Sequence, residues 1–334
     1  MYQGKTWKAN AFGEPVDVLR LEDTAWGEPP EGLVLVRVLA CGLGLPDILM
    51  TRGEYPLLPE PPVSPGQEVA GEVVATAPGS GFTVGDRVMG LTAYLDGWGG
   101  LSEYAYVREA KARLVPDTLS DEQAAGFMLA FRTAYAGLAD RVRVNSGEVL
   151  LVLGASGSSG SAAIRLGKAL GATVIAVAGS EEKLRFCTGA GADQVVNYHR
   201  ADVADEVTAR TGGHGADVVF DPVGGALGTR ALAGVARLGR VAIIGYASGK
   251  FLTLDPLDMV LRNYTAAGVF AGGTPTEDAA AYDELHRLAA ASLITTPLTR
   301  VVGFDDAPKA LATLHEHPGK SVVRVAAGGT HQTL

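Results

Sequence analysis

Residues 149–160 decide the fold: Val149-Leu150-Leu151-Val152-Leu153 runs into Gly154-Ala155-Ser156-Gly157-Ser158-Ser159-Gly160. The continuously apolar first half is typical of a strand buried on both faces of a parallel sheet. Small and apolar residues at helical spacing follow over 161–170. A glycine-rich turn between such a strand and a helix presents backbone N–H groups at the positive end of the helix dipole, which suits a pyrophosphate. The spacing G-x-x-G-x-x-G departs from the commoner G-x-G-x-x-G, so the loop alone leaves open a tight turn that binds nothing.

Strand and helix patterns alternate on the C-terminal side of this loop. Strands are predicted at 173–178, 194–197, 217–221 and 239–245, with helices near 181–190, 201–210 and 228–236. Five strands interleaved with helices predict a doubly wound parallel α/β sheet, which binds its ligand at the carboxyl ends of the strands. This context favours phosphate binding by the glycine loop.

The two ends of the chain have a different pattern. Short Val- and Leu-rich strands are predicted at 33–40, 68–76, 86–90 and 101–107, which indicates a small barrel or sandwich. Ser120 has the pattern of an N-cap, and one helix is predicted over 121–140. We therefore expect residues 1–125 and 265–334 to form one domain, with a dinucleotide-binding domain at 126–264 between them.

Composition excludes several classes of function. The net charge of −9 and the lack of Lys/Arg runs argue against nucleic-acid binding. No apolar stretch reaches membrane-spanning length and the first residues lack a secretion-signal pattern, so we expect a cytoplasmic protein. Cys41 and Cys187 are the only cysteines, too few for a four-thiolate zinc site or a disulfide framework.

The end of the second predicted strand indicates the cofactor. An acidic residue that binds the adenosine ribose usually stands there, but Gly179 and Ser180 follow Ala178. Ser180 can donate a hydrogen bond and Lys183 adds a positive charge, so we predict NADPH rather than NADH. Two alternatives remain. Glu181 or Glu182 turns inward to the ribose, or Lys183 is an ordinary charge on a helix surface.

Several ordered motifs resemble one family over nearly the whole chain. They are CGLGLPDILMTRGEYPLLPEPPVSPGQEVAGEV, GDRVMG, LLVLGASGSSGSAAIRLGKALGATVIAVAGSEEK, GADQVVNY, TGGHGADVVFDPVGG and GRVAIIGYASG. The chain is similar to the zinc-free quinone oxidoreductase branch of the medium-chain dehydrogenase/reductase superfamily. This resemblance implies a GroES-like catalytic domain, a Rossmann domain, NADPH, a small-molecule substrate and a homodimer.

The resemblance also implies roles for individual residues. The pyrophosphate loop matches Gly157, Ser158, Ser159 and Gly160, and the 2′-phosphate clamp matches Ser180, Lys183 and Tyr198. Tyr198 can alternatively be an ordinary half-buried aromatic after a strand. Positions near the nicotinamide match Thr133, Ile244 and Gly245, and the backbone that holds the carboxamide matches Val269 and Phe270. Arg324 is a further candidate for a phosphate or ribose contact.

No metal is expected at the catalytic site. Zinc-dependent relatives use a Cys near Cys41 and a His in a G-H-E segment, where this chain has Gly66-Gln67-Glu68. One thiol without an imidazole cannot hold catalytic zinc. The acceptor must then be electrophilic already, as a quinone or an α,β-unsaturated carbonyl is, and its developing oxyanion needs a hydrogen-bond donor. Tyr55 matches a tyrosine that faces the substrate in this family and is our candidate donor; the alternative is a packed loop aromatic.

Two positions bear on the substrate. Gly44 stands where many relatives have an Asn beside the nicotinamide, which widens the site and removes a polar contact, whereas Asp47 remains and can equally cap a turn. Arg132 is a candidate for steering an anionic substrate. The alternatives to quinone or enone reduction are an enoyl-thioester reductase that acts on acyl-CoA or acyl-carrier chains and an inactive NADPH-binding structural protein or sensor.

Overall fold

The computed structural model describes residues 1–57 and 60–325. It divides into two compact units, one of Met1–Leu129 with the chain from Pro275 onward, the other of Ala130–Thr274. The two divisions fall four and ten residues beyond the expected positions, and residues 326–334 of the expected first domain lie outside the described part. Among the described residues, no helix combines the length and the apolarity needed to cross a membrane.

The strands, in chain order, are β1 (Tyr2–Ala9), β2 (Leu19–Trp26), β3 (Leu33–Leu43), β4 (Glu68–Thr76), β5 (Arg87–Thr92), β6 (Tyr104–Leu114), β7 (Val149–Val152), β8 (Thr173–Ala178), β9 (Gln194–Asn197), β10 (Ala216–Asp221), β11 (Val235–Ile243), β12 (Thr265–Gly268), β13 (Leu298–Gly303) and β14 (Lys320–Arg324). The α-helices are α1 (Pro15–Val18), α2 (Leu45–Arg52), α3 (Asp121–Ala125), α4 (Met128–Tyr135), α5 (Ser158–Ala169), α6 (Glu181–Gly189), α7 (Val203–Arg210), α8 (Gly225–Ala231), α9 (Pro256–Arg262), α10 (Pro275–Ala290) and α11 (Ala307–Ala312).

The first unit is built on one curled sheet and a two-stranded ribbon of β1 and β2. The sheet has the order β13-β14-β3-β4-β5-β6, and β3 pairs with β6 as well, so the strands close on themselves. Buried side chains fill its interior, among them Val36, Val38, Val69, Val88 and Val107. This is the barrel that the short Val-rich strands predict. Because β14 pairs with β3, the late part of the chain completes a sheet begun by the early part.

The second unit confirms the predicted doubly wound sheet. Six parallel strands have the order β12-β11-β10-β7-β8-β9. The order reverses between β7 and β10, and ligands of such sheets bind at that switch point, outside the carboxyl ends of the strands. Strands β8 and β9 have the bounds that the sequence predicts.

Several predicted elements are wrong in extent. The single helix expected over 121–140 is broken into α3, α4 and a π-turn at Ala136–Arg141. The break follows from close packing at Gly126, where an added Cβ would lie 2.5 Å from Cγ of Lys320. The helix expected to reach residue 236 stops early, since Val235 already pairs in β11. Strands β1 and β2 and helix α2 were not predicted.

Candidate active site

The glycine loop follows β7 at the switch point and leads directly into α5. This helix begins at Ser158, three residues earlier than expected, with Gly157 as an N-cap that supplies no side-chain bond and with no acidic residue in the first turn. Its neighbours differ, since the N-terminus of α6 is capped by Ser180 and that of α7 by Asp202. Because no acidic side chain lies in its first turn, the positive end of α5 suits an anion such as a pyrophosphate.

Close packing explains why this loop is rich in glycine. A Cβ added to Gly160 would lie 2.3 Å from the carbonyl oxygen of Gly154. Gly154 has a φ of +55°, and a Cβ there would lie 2.7 Å from Cγ2 of Val223, in the loop after β10. The two loops of the switch point thus touch each other. Gly154 and Val223 were not among the predicted site residues, although Gly154 opens the glycine pattern.

Two of the three residues of the expected 2′-phosphate clamp, Ser180 and Tyr198, come close to each other at the bend after β8. Ser180 Oγ accepts a hydrogen bond from the backbone N–H of Lys183 at 3.3 Å, a bond that does not use the hydroxyl hydrogen of Ser180. Tyr198 Oη lies over Gly179, only 2.7 Å from where a Cβ would stand. Glu181 pairs with Arg200 at 2.9 Å, so its carboxylate already has a cationic partner.

The backbone N–H groups of three residues expected near the nicotinamide, Ile244, Gly245 and Val269, have partners within this unit. The N–H groups of Ile244 and Gly245 both donate to the carbonyl oxygen of Asp221, at 2.9 and 3.2 Å. The N–H of Val269 was expected to bind the carboxamide, but it already donates to Ile243 O at 3.0 Å. Phe270 is 77% exposed. Thr133 lies half-buried on α4.

Two arginines do not fit the roles expected for them. Arg132 is 3% exposed and pairs with Asp140 at 3.1 Å, so its charge is neutralised inside the unit and not offered to an anionic substrate. Arg324 ends β14 and pairs with Glu122 at 2.6 Å. This guanidinium lowers the pKa of the Glu122 carboxyl. Each guanidinium is already paired with a carboxylate, and the spacing of residues in the sequence does not reveal these ion pairs.

In the first unit, Tyr55 is hydrogen-bonded to a second tyrosine. The hydroxyl oxygens of Tyr55 and Tyr94 lie 3.2 Å apart and the ring centroids 6.3 Å apart. Both side chains are half-buried. Tyr94 was not predicted as a site residue, because nothing in its own neighbourhood of the sequence distinguishes it.

Asp47 ties together the two backbone segments that carry Gly44 and Gly66. It is 1% exposed, and its two carboxylate oxygens accept the N–H groups of these glycines at 2.8 Å each. Burial raises the pKa of Asp47 to about 6, against the lowering effect of the two backbone bonds. Asp47 thus caps a turn, which is the alternative role that the sequence predicts for this residue. A Cβ added to Gly44 would meet only Pro46 and Asp47 of its own turn.

The side chains around Cys41 offer a poor set of metal donors. Gln67 is buried and its amide lies 3.5 Å from the Met50 sulfur. The Glu68 carboxylate pairs with Lys320 at 2.5 Å, and burial, with the Asp47 and Glu68 charges, raises the pKa of the Cys41 thiol. The described residues contain no group of three or more His, Cys, Asp or Glu side chains that could hold a metal ion.

Comparison with known proteins gives the family. Residues 30–117 match the alcohol dehydrogenase GroES-like domain, and residues 160–290 match the zinc-binding dehydrogenase model. Quinone oxidoreductase-like protein 2 of Bos taurus is 32% identical over 271 residues, which are 80% of this chain and 76% of the relative. The chain belongs to the quinone oxidoreductase branch of the medium-chain dehydrogenase/reductase superfamily. The resemblance seen in the sequence motifs is confirmed, and the protein is an oxidoreductase.

Two further members of this branch are similar over most of the chain. The quinone oxidoreductase of Homo sapiens is 31% identical over 260 residues, which are 77% of each chain. The crystal structure of the Escherichia coli quinone oxidoreductase complexed with NADPH superposes with a TM-score of 0.86 at 28% identity, and the match covers 96% of this chain and 100% of that one. The GroES-like and Rossmann parts of the predicted fold are thereby confirmed.

Proposed function

We propose that this protein is an NADPH-dependent reductase of quinones or activated α,β-unsaturated carbonyls that works without a metal. The observation that carries the substrate class is the donor set of the first unit. Gln67 stands where zinc-dependent relatives have an imidazole, and Tyr55 supplies a phenol. An amide in place of the imidazole makes a poor zinc site, and reduction without a Lewis acid suits an acceptor that is already electrophilic.

NADPH fits the residues of the second unit and supplies a hydride when it is bound. The uncapped N-terminus of α5, from Ser158 to Gly160, would bind the pyrophosphate. Ser180 would donate its hydroxyl hydrogen to the 2′-phosphate, with Lys183 and Tyr198 beside it. Tyr198 also lines a surface cavity of about 300 Å³ with Leu227. The absence of a carboxylate at the end of β8 removes the repulsion that this phosphate would otherwise meet.

Tyr55 is the proposed proton donor of the reaction. As hydride reaches the β-carbon of an enone, the π electrons move to the carbonyl oxygen, where negative charge develops. The Tyr55 O–H bond then breaks and its proton forms a new O–H bond on that oxygen, and the phenolate recovers a proton from water. In a quinone the same donor serves the developing quinol oxygen.

Turnover of defined acceptors tests this function. We expect oxidation of NADPH, followed at its own absorbance band, with members of a quinone or enone panel, and much slower oxidation of NADH. Crotonyl-CoA is assayed in parallel: turnover of crotonyl-CoA alone would identify an enoyl-thioester reductase instead. Tight NADPH binding without turnover of any acceptor would leave only the structural or sensor role.

We also propose that the protein is a homodimer joined beside β12. This strand lies at the edge of its sheet, and the helix before it, α9, presents Leu257, Val260 and Leu261 at 64%, 70% and 70% exposure. An unpaired strand edge beside exposed apolar side chains favours association with a second copy. A molar mass in solution near 34.5 kDa, the mass of one chain, would contradict it.

A further inference from the structure

Tyr94 lies on a turn that is anchored to the barrel of the first unit. The 3₁₀ turn Tyr94–Asp96 follows Ala93, which is fully buried and donates its N–H to Tyr106 O on β6 at 2.8 Å. Asp96, at the end of the turn, pairs with Arg108 on the same strand at 2.8 Å. The Tyr94 ring is therefore held from both sides of its turn.

Tyr55, by contrast, lies in an irregular segment after α2. The helix ends at Arg52, Gly53 follows in a left-handed conformation with a φ of +74°, and residues 54 and 55 belong to no helix or strand. The Tyr55 hydroxyl is hydrogen-bonded to the Tyr94 hydroxyl at 3.2 Å. Orientation of the Tyr55 hydroxyl thus depends on a partner that is held more firmly than Tyr55 itself.

Either hydroxyl can be the donor in the bond between Tyr55 and Tyr94. Burial raises the pKa of Tyr94 well above its ordinary value, and the bond to Tyr55 and the negative charge of Asp47 raise it further, against a lowering effect of Arg108. Tyr94 therefore stays protonated. When Tyr55 gives its own hydrogen to the substrate oxygen, as in the proposed function, Tyr94 is the group that donates to Tyr55 Oη.

We propose that Tyr94 is the positioning residue of the Tyr55 proton donor. The inference rests on the proposed function, in which Tyr55 gives its proton to the substrate oxygen. Tyr94 fixes the Tyr55 hydroxyl, and accepting this bond makes Tyr55 a stronger donor in return. When the Tyr55 O–H bond breaks, the resulting phenolate still receives the Tyr94 O–H, which stabilises its negative charge. Tyr94 itself gives up no proton.

A direct test needs no turnover. Site-specific 3-fluorotyrosine at position 55 reports its own ionisation through the pH dependence of its ¹⁹F shift. Tyr94→Phe keeps the ring and removes the hydroxyl, so we expect it to raise the pKa of the labelled residue by about one pH unit through loss of the bond to the phenolate. Tyr2→Phe is the matched control, because its hydroxyl donates to Val74 O elsewhere in the same unit. An unchanged pKa in Tyr94→Phe would overturn the inference.

The kinetic test is a double-mutant cycle. Tyr94→Phe is expected to lower kcat about tenfold with little change in KM, and to have no further effect in a Tyr55→Phe background, because it acts only through Tyr55. Additive effects of the two substitutions would contradict the inference while leaving the proposed function intact. A wild-type enzyme that reduces no quinone or enone would overturn the proposed function, whereas the ¹⁹F titration would still decide whether Tyr94 controls Tyr55.

Discussion

Tyr55→Phe is expected to lower kcat for quinone or enone reduction roughly 100- to 1,000-fold. The substitution removes the O–H group that meets the developing negative charge, and it retains the ring that packs at 6.3 Å from Tyr94. Because the lost interaction forms mainly in the transition state, KM should change less than about threefold. Steady-state kinetics at saturating NADPH give both constants, and NADPH fluorescence titration shows whether cofactor binding is intact.

The control for this substitution is Tyr2→Phe, which also removes one phenolic hydroxyl from the first unit. Its hydroxyl donates to the Val74 carbonyl at 2.8 Å, a purely structural bond, so kcat should stay at the wild-type value. If Tyr55→Phe behaves in the same way, Tyr55 is a packed loop aromatic and the proton comes from another group or from water.

The Rossmann unit could be predicted closely because its signals are local. A strand buried on both faces of a parallel sheet is continuously apolar, and for that reason the bounds of Thr173–Ala178 can be predicted from the sequence. The N-cap at Ser120 can also be predicted from the local sequence. Its side chain accepts the N–H of Gln123 at 3.2 Å, as the capping pattern predicts. Strand β1 was missed because its sequence, YQGKTWKA, mixes polar and apolar residues and only two of its eight residues are buried.

The site was harder to predict where its contacts join distant parts of the chain. Tyr94 acquires a role only through Tyr55, which is 39 positions away. Arg132 was expected to meet an anion from outside, because its charge was visible in the sequence and its pairing with Asp140 in the fold was not. A motif identifies which residues can do chemistry, whereas burial and ion pairing decide which of them remain available.

Lys320 and Glu68 form a buried ion pair in the first unit. They are 2% and 1% exposed, and their charged atoms lie 2.5 Å apart. Gly42 makes room for them, since a Cβ there would lie 2.9 Å from Lys320 Cε and 3.0 Å from Glu68 Oε1. The second oxygen of Glu68 accepts the N–H of Leu129 at 2.8 Å, at the start of α4. One carboxylate thus connects β4, β14 and Leu129 within the first unit.

Lys320→Met is expected to lower the free energy of unfolding of this unit by about 3–5 kcal/mol, because it leaves the Glu68 carboxylate buried without a counter-charge. Unfolding in urea is followed by tryptophan fluorescence, which reports on this unit alone since all three tryptophans, Trp7, Trp26 and Trp98, lie within it.

Two further variants separate the buried charge from the loss of a side chain. Lys5→Met breaks an exposed ion pair, in which the side chains of Lys5 and Asp23 are 50% and 91% exposed. This substitution should lower the free energy of unfolding by only about 0–1 kcal/mol. The double variant Glu68→Gln/Lys320→Met should regain most of the stability that Lys320→Met loses, because no charge is then left buried, and the glutamine oxygen can still accept the Leu129 N–H. A double variant as unstable as Lys320→Met would assign the loss to packing around the Lys320 stem and not to the uncompensated carboxylate.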